Sequence, residues 1–204
     1  MIAGYAEMMR DIPGENNGEN AQVIVDEANR LAGLVKDMLD LSRLQAGAAR
    51  LDLEVLSLTQ TVRDIVLRWN KLITPENCRL AFEGEEELFV LADGIKLSQV
   101  IYNLAGNAIS HTPSGGQVLI RQLRQEGFVL LQVIDQGPGI PPEEIPRIWE
   151  RYHTRRQDPG QVGGLGLAIV KAVLDLHGAR YGVESVVGEG SVFWFRLPLA
   201  QPPL

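Results

Sequence analysis

Gln117-Val118-Leu119-Ile120-Arg121-Gln122-Leu123 and Phe128-Val129-Leu130-Leu131-Gln132-Val133-Ile134 are two apolar-rich runs separated by a turn at Glu126-Gly127. Strand-length runs joined by a short glycine turn read as an antiparallel hairpin. On either side, the pattern alternates between strands and helices. Upstream, Leu51–Leu58 alternates as a strand and Thr59–Leu72 reads as a helix. Arg79–Phe82 and Leu88–Leu91 are short strands around the acidic turn 83–87, and Asp93 caps a helix running to about Ser110. Downstream, Pro142–Arg151 reads as a short helix with its proline in the first turn. Leu165–Leu176 is a helix stopped by Gly178, and Tyr181–Val187 and Ser191–Leu197 are closing strands. Several hairpin-like pairings with helices between them imply an α+β sandwich and not a doubly wound parallel sheet.

The first part of the chain differs. Ile2–Arg10 is a short apolar-rich piece, followed by a turn-rich break at Ile12-Pro13-Gly14 and Asn16-Asn17-Gly18. A helix from about Asn20 to Gln45 carries Ile24, Ala28, Leu31, Val35 and Met38 at heptad spacing, with Leu34 and Leu41 widening the stripe. Gly47 is its expected stop. Either this is one amphipathic helix packed on its own domain, or half of a helical hairpin that pairs with a second copy. The heptads favour the second reading. Residues 1–48 are thus expected to form a helical module, 49–200 a globular domain, and 201–204 a frayed tail.

Composition narrows the function. The chain has 204 residues, 45% hydrophobic and 22% charged, with a net charge of -7. An acidic balance weighs against nucleic-acid binding, which normally calls for a basic face. Cys78 is the only cysteine, which excludes an internal disulfide. No window approaches the roughly 20 apolar residues that span a bilayer. Met1–Arg10 lacks the pattern of a signal peptide. The expectation is a cytoplasmic piece, attached to a membrane only through segments upstream.

Three segments carry chemistry. In Asn103-Leu104-Ala105-Gly106-Asn107-Ala108-Ile109-Ser110-His111, two amides four residues apart share one helix face. Amides in an apolar helix are costly without partners, and amide oxygens are hard ligands suited to Mg²⁺. In Asp135-Gln136-Gly137-Pro138-Gly139-Ile140, a carboxylate at a strand end can accept from an exocyclic amine such as that of adenine. Its glycines let a flat ligand approach the backbone. In Gly163-Gly164-Leu165-Gly166-Leu167, bare amides at a helix start make a phosphate site. Each has a bland alternative: a core amide, a common turn, a packing glycine cluster. Neither the P-loop nor the dinucleotide fingerprint is present.

In this order and at these separations, the three segments resemble the N, G1 and G2 boxes of sensor histidine kinases. These belong to the ATPase group that includes a heat-shock chaperone family, DNA gyrase and MutL. Ile148-Trp149-Glu150-Arg151-Tyr152 resembles that family's F box, with Tyr where Phe is usual. Gly188-Glu189-Gly190-Ser191-Val192-Phe193 resembles its closing glycine motif, and Asp93-Gly94-Ile95-Lys96 the run into the N box. Asn20–Gly47 is similar to the second helix of the dimerisation and phosphotransfer hairpin. The resemblance implies a Bergerat-type two-layer α/β sandwich with a mixed sheet, preceded by that helix. It implies MgATP as ligand, with Asn107 on Mg²⁺, Asn103 supporting the phosphates, and Asp135 on the adenine amine beside Gly137 and Gly139. Residues 153–163 would form a lid. Gly164, Leu165, Gly166 and Leu167 would meet the phosphates. His111, Tyr152, and Arg155 or Arg156 would also touch the nucleotide. The implied partners are a response-regulator receiver domain and a second copy of the full protein.

The sequence also departs from the family. Ser110 stands where a phosphate-contacting Lys is usual, and Val162 replaces a frequent glycine. Weak ATP binding is therefore expected, and a calorimetric Kd well below micromolar would contradict it. The phosphoacceptor box, of the type Ser-His-Glu-Leu-Arg, is absent; His111, His153 and His177 are the only histidines. Truncation, not degeneration, is the expected cause, and the 204-residue chain is expected not to autophosphorylate. Alternatives are another kinase or ATPase of the same group, or a non-catalytic dimerisation and nucleotide-sensing module. Ser110 favours the last of these slightly; intact Asn107, Asp135 and Gly166 count against it.

Overall fold

Hydrophobic periodicity decides which faces of these elements are buried, and the computed structural model shows how the faces meet. It describes residues 2–12, 14, 16–45, 50–84, 86–151 and 164–202. The elements are α1 (Ile2–Asp11), α2 (Gly18–Gln45), β1 (Glu54–Ser57), α3 (Leu58–Trp69), β2 (Cys78–Glu83) and β3 (Phe89–Ala92). They continue with α4 (Gly94–His111), β4 (Gly116–Gln125), β5 (Phe128–Asp135), α5 (Gly166–Leu176), β6 (Arg180–Val186) and β7 (Gly190–Ala200). The strands form one sheet in the order β1-β3-β7-β5-β4-β2, with β6 also paired to β7. The β4–β5 hairpin is antiparallel, as its alternation implies, whereas β2 joins β4 in parallel. The sheet is therefore mixed.

One face of the sheet is dry. Ile120 pairs with Val133, Leu131 with Phe195, and Val129 with Leu197. All of these side chains are buried together with the inner faces of α3, α4 and α5. On the other face, Leu123 and Phe128 are 42% and 38% exposed. This is a two-layer α+β sandwich, with its helices segregated to one side.

Helix α2 packs along α1 and also against α5. Leu41 and Leu44, 1% and 5% exposed, belong to the main core. Leu41 thus serves the packing of α2 onto the sandwich, while Leu31, Val35 and Met38 remain 44%, 59% and 57% exposed. The reading of a helix packed on its own domain holds for the last turns of α2, and α1 and α2 pack as a helical pair within the chain. Gly47 lies outside the described residues.

Two sequence expectations need correction. β1 begins at Glu54, not Leu51, so the segment before it is not strand. Residues 142–151 form successive turns rather than a helix. The bonds there are mostly i to i−3, from Glu144 N–H to the Pro141 carbonyl, Arg147 N–H to the Glu144 carbonyl and Glu150 N–H to the Arg147 carbonyl. A single i to i−4 bond runs from Ile148 N–H to the Glu144 carbonyl. Pro146 has no N–H to give to the Pro142 carbonyl, so no continuous i to i−4 ladder runs through the segment.

Asp93 caps α4 as its position implies: Oδ1 accepts from Lys96 N–H at 3.0 Å, and Oδ2 from Asp52 N–H at 3.2 Å. Burial works against the charge. Hydrogen bonds from the backbone of Lys96, Asp52 and Ile95, with the Lys96 ammonium, outweigh it and hold the carboxyl below its ordinary range. A folded-state pKa below the unfolded value contributes stability that is full above roughly pH 4 and is lost as pH falls through the folded value. Asp93→Ala should cost about 1–2 kcal/mol at neutral pH. Urea unfolding should show that deficit shrinking in acid; a pH-independent deficit would refute the charged cap.

Candidate nucleotide site

Helix α4 is the spine of the site. Leu97, Val100, Ile101, Leu104, Ala105 and Ala108 bury one face. Asn103, Asn107 and His111 follow at intervals of four on another. Asn103 Nδ2 reaches the Gly166 carbonyl at 3.4 Å, a long bond that ties α4 to the first turn of α5. The half-buried Asn107 amide makes no hydrogen bond among the described residues. Exposed Ser110 turns its hydroxyl back to the Gly106 carbonyl at 2.8 Å. That oxygen satisfies its own helix and offers no cation where the family commonly has one.

At the far end of this face, about 12 Å along the helix by its rise from Asn103 to His111, sits Asp135. Its carboxylate closes β5 and is only 6% exposed. Oδ1 accepts from Gly137 N–H at 2.8 Å and from Ser191 N–H at 3.2 Å. Burial pushes the carboxyl above its ordinary range, opposed by those two bonds and by the proximity of His111. The group is thus a desolvated acceptor with one oxygen held by two backbone N–H groups and its other oxygen without a hydrogen bond among the described residues.

The glycines of this loop answer first to the chain itself. A Cβ on Gly137 would stand 2.8 Å from the His111 carbonyl oxygen and 2.8 Å from Asp135 Oδ1. Gly139, with φ of +68°, would put a Cβ 2.0 Å from the Val186 carbonyl oxygen. The β6–β7 turn grips the loop further through Gly188 N–H to the Pro138 carbonyl at 2.9 Å and Ile140 N–H to Ser185 Oγ at 2.8 Å. Ser185 Oγ also donates to the Gly190 carbonyl and meets Ser191 Oγ at 2.9 Å. Ser185, Gly190 and Ser191 therefore build the Asp135 end of the candidate site as much as the G1-like segment does. The glycines around Ser191 mark this turn in the sequence; nothing local reveals that it faces Asp135.

Helix α5 opens without a side-chain cap. Its first N–H groups have no intrahelical partner, which leaves donors and the positive dipole end beside Asn103. Gly164 has φ of +117°, a conformation that favours glycine. Leu165 is 3% exposed, its side chain in the core, so what it presents to a ligand is backbone. Gly166 and Leu167 are half-buried. Ile148 enters the core, and Trp149 stands edge-on to Tyr181 at 5.1 Å and Phe193 at 5.9 Å, anchoring the chain before residue 152. Tyr152, Arg155, Arg156, Val162 and the expected lid at 153–163 lie outside the described residues.

No group of three or more His, Cys, Asp or Glu that could hold a metal exists among the described residues. A hard cation here would rely on an amide, water and phosphate oxygens. The unbonded Asn107 amide fits that requirement.

Residues 92–201 match the family described as histidine kinase-, DNA gyrase B-, and HSP90-like ATPase, and residues 1–47 match the His kinase A (phospho-acceptor) domain. The sensor protein DivL of Caulobacter vibrioides is 34% identical over 206 residues, covering 99% of this chain and 26% of DivL. Full-length ShkA in complex with AMPPNP superposes with a TM-score of 0.78 at 29% identity, over 92% of this chain and 40% of ShkA. Histidine kinase ThkA in complex with response regulator protein TrrA gives 0.77 at 29% identity, over 98% of this chain and 57% of its own. The chain thus spans about a quarter of the length of the curated relative named here. By fold, by motif order and by these matches, the chain belongs to the histidine kinase-, DNA gyrase B- and HSP90-like ATPase family, as the ATPase domain and part of the phospho-acceptor domain of a sensor histidine kinase.

Proposed function

We propose that the chain binds MgATP along the polar face of α4 and, within a longer sensor kinase, presents the γ-phosphoryl group to a histidine. The observation that carries this reading is Asp135: a buried carboxylate with one oxygen fixed by two N–H groups, a donor-seeking group of the kind that would accept from an adenine amine. Asn103 and the uncapped α5 amides support it at the phosphate end. The AMPPNP complex of ShkA supports the same ligand class.

Asn107 would contribute a ligand to Mg²⁺, which when bound neutralises phosphate charge. The amides of α5 orient the phosphate oxygens, and Asp135 fixes the base. Phosphoryl transfer needs mostly such positioning. An imidazole nitrogen gains the bond to the γ-phosphorus as the bridging P–O bond breaks and ADP leaves. A receiver-domain aspartate then takes the phosphoryl as the N–P bond breaks; the ThkA–TrrA complex supports that partner class. Self-association through the exposed Leu31, Val35 and Met38 stripe completes the proposal. No histidine stands among residues 1–47, so these 204 residues are expected to bind nucleotide without incorporating label.

Titration calorimetry with ATP, with and without Mg²⁺, tests this. Wild type should bind only weakly and gain affinity with the metal. Asn107→Ala should lose roughly tenfold or more of the Mg²⁺-dependent affinity, since water must replace a protein ligand. Equal binding with and without metal, or radiolabel from ATP on this chain, would contradict the proposal.

A further inference from the structure

The nucleotide reading leaves His177 unused, yet among the described residues it is the imidazole whose two nitrogens are both engaged. Asp93 N–H donates to His177 Nε2 at 3.1 Å, and His177 Nδ1 lies 2.8 Å from the Val173 carbonyl oxygen. A backbone N–H can only donate, so Nε2 carries no proton. The proton is on Nδ1 and is given to Val173. The ring therefore joins the C-cap of α5 to the residue that caps α4.

The same two helices are hydrogen-bonded again where Asn103 meets the Gly166 carbonyl. Asp93 to Asn103 is ten residues of α4, about 15 Å of rise; Gly166 to His177 is eleven residues, about 16 Å. The order of the two contacts means that the helices run antiparallel, with α5 fastened at both its ends and α4 at its N-cap and mid-length. Val100, Ile101, Ile169 and Val173, all buried, lie along these spans. The Asn103 bond is long and adjoins the site; the His177 bonds are shorter and remote from it. A Schellman motif fixes the backbone that carries the ring: Ala179 N–H bonds the Leu174 carbonyl at 3.0 Å, and Gly178 N–H the Asp175 carbonyl at 3.0 Å. The Nδ1 bond to Val173 ties the ring to the last turn of the same helix.

We infer that His177 is a positioning residue for nucleotide binding: it sets the register of α5 against α4, and through it the placement of the α5 amides relative to Asn103 and Asn107. This rests on the nucleotide reading above. Releasing the remote fastening lets α5 slide or tilt, and the long Asn103–Gly166 bond is the first to open. The phosphate donors then lose their common geometry although no side chain at the site has changed.

The test compares wild type, His177→Phe and His177→Gln. Phe keeps the ring's bulk and loses both bonds; Gln offers one acceptor and one donor at similar reach. In the nucleotide-free wild type, ¹⁵N spectroscopy of the imidazole should show Nδ1–H, and the Asp93 amide should exchange slowly. His177→Phe should weaken MgATP binding about fivefold, equivalent to roughly 1 kcal/mol, and shift the Asn103 side-chain amide resonances. His177→Gln should recover most of both. A proton on Nε2, or a Phe variant that melts lower yet binds MgATP as wild type does, overturns the inference, as does Gln behaving like Phe. A wild type with the expected tautomer and no MgATP affinity overturns the nucleotide reading instead, and the positioning role with it.

Discussion

Asp135→Asn should bind ATP tenfold to more than a hundredfold more weakly than wild type while melting at the same temperature or higher without nucleotide. The two halves have one cause. Oδ1 of Asp135 accepts from Gly137 and Ser191 N–H. An asparagine must put its carbonyl oxygen there to keep those bonds, which leaves its NH₂ group where the free carboxylate oxygen was. Adenine's amine then meets a donor, and a charge-assisted bond worth about 1.5–3 kcal/mol is lost. Stability responds oppositely. Burial raises the folded-state pKa of Asp135, so its contribution is full below the unfolded value of about 3.9 and is lost as pH rises through the folded one. At neutral pH the buried charge is a cost, and the neutral amide removes it with the same shape. Melting curves with and without saturating MgATP should therefore cross: the variant at least equal when free, the wild type ahead when bound. Inosine triphosphate, with a carbonyl in place of the amine, should lose less affinity than ATP. Unchanged ATP affinity in the variant would dispose of the adenine assignment.

Why Asp135 was legible in the sequence, and its surroundings were not, follows from the range of the interactions. The β4–β5 hairpin announces itself through alternation and the Glu126-Gly127 turn, and Gly127 does take φ of +73°. The Asp93 cap and the Gly178 stop depend on neighbours within five residues, and both are where their residue types put them. Asn103 and Asn107 share a face because helical spacing requires it. Periodicity tells which side of an element is buried but not which element covers it. Hence the parallel β2–β4 pair, the place of β7 between β5 and β6, and Asp93 bonded to a histidine 84 residues away carry no local mark. The 142–151 segment fails differently: its apolar spacing is helical, but Pro146 removes one donor of the continuous ladder and mostly i to i−3 bonds form instead.

Gly139→Ala and Gly190→Ala should each destabilise the nucleotide-free protein by roughly 2–4 kcal/mol, beyond what backbone strain alone costs. Gly190 has φ of +112°, and a Cβ there would stand 2.1 Å from the Asp135 carbonyl oxygen; at Gly139 it would stand 2.0 Å from that of Val186. Both obstacles are backbone, which cannot swing aside as a flexible side chain can. Gly188 is the control. Its φ is +88°, but a Cβ there meets nothing within 4 Å, so Gly188→Ala should show only the strain, about 1–2 kcal/mol. The excess at 139 and 190 over 188, read from denaturant unfolding without ligand, measures how tightly the G1-like loop is pressed onto the β6–β7 turn. That pressing is what aims Ser191 N–H at Asp135. A loop glycine in a nucleotide-binding motif can thus be required by the chain and not by the ligand, and loss of binding in Gly139→Ala would then follow from unfolding. If Gly139→Ala instead unfolds with the wild type and only fails to hold ATP, its glycine serves the nucleotide directly, and the two backbones have room to part.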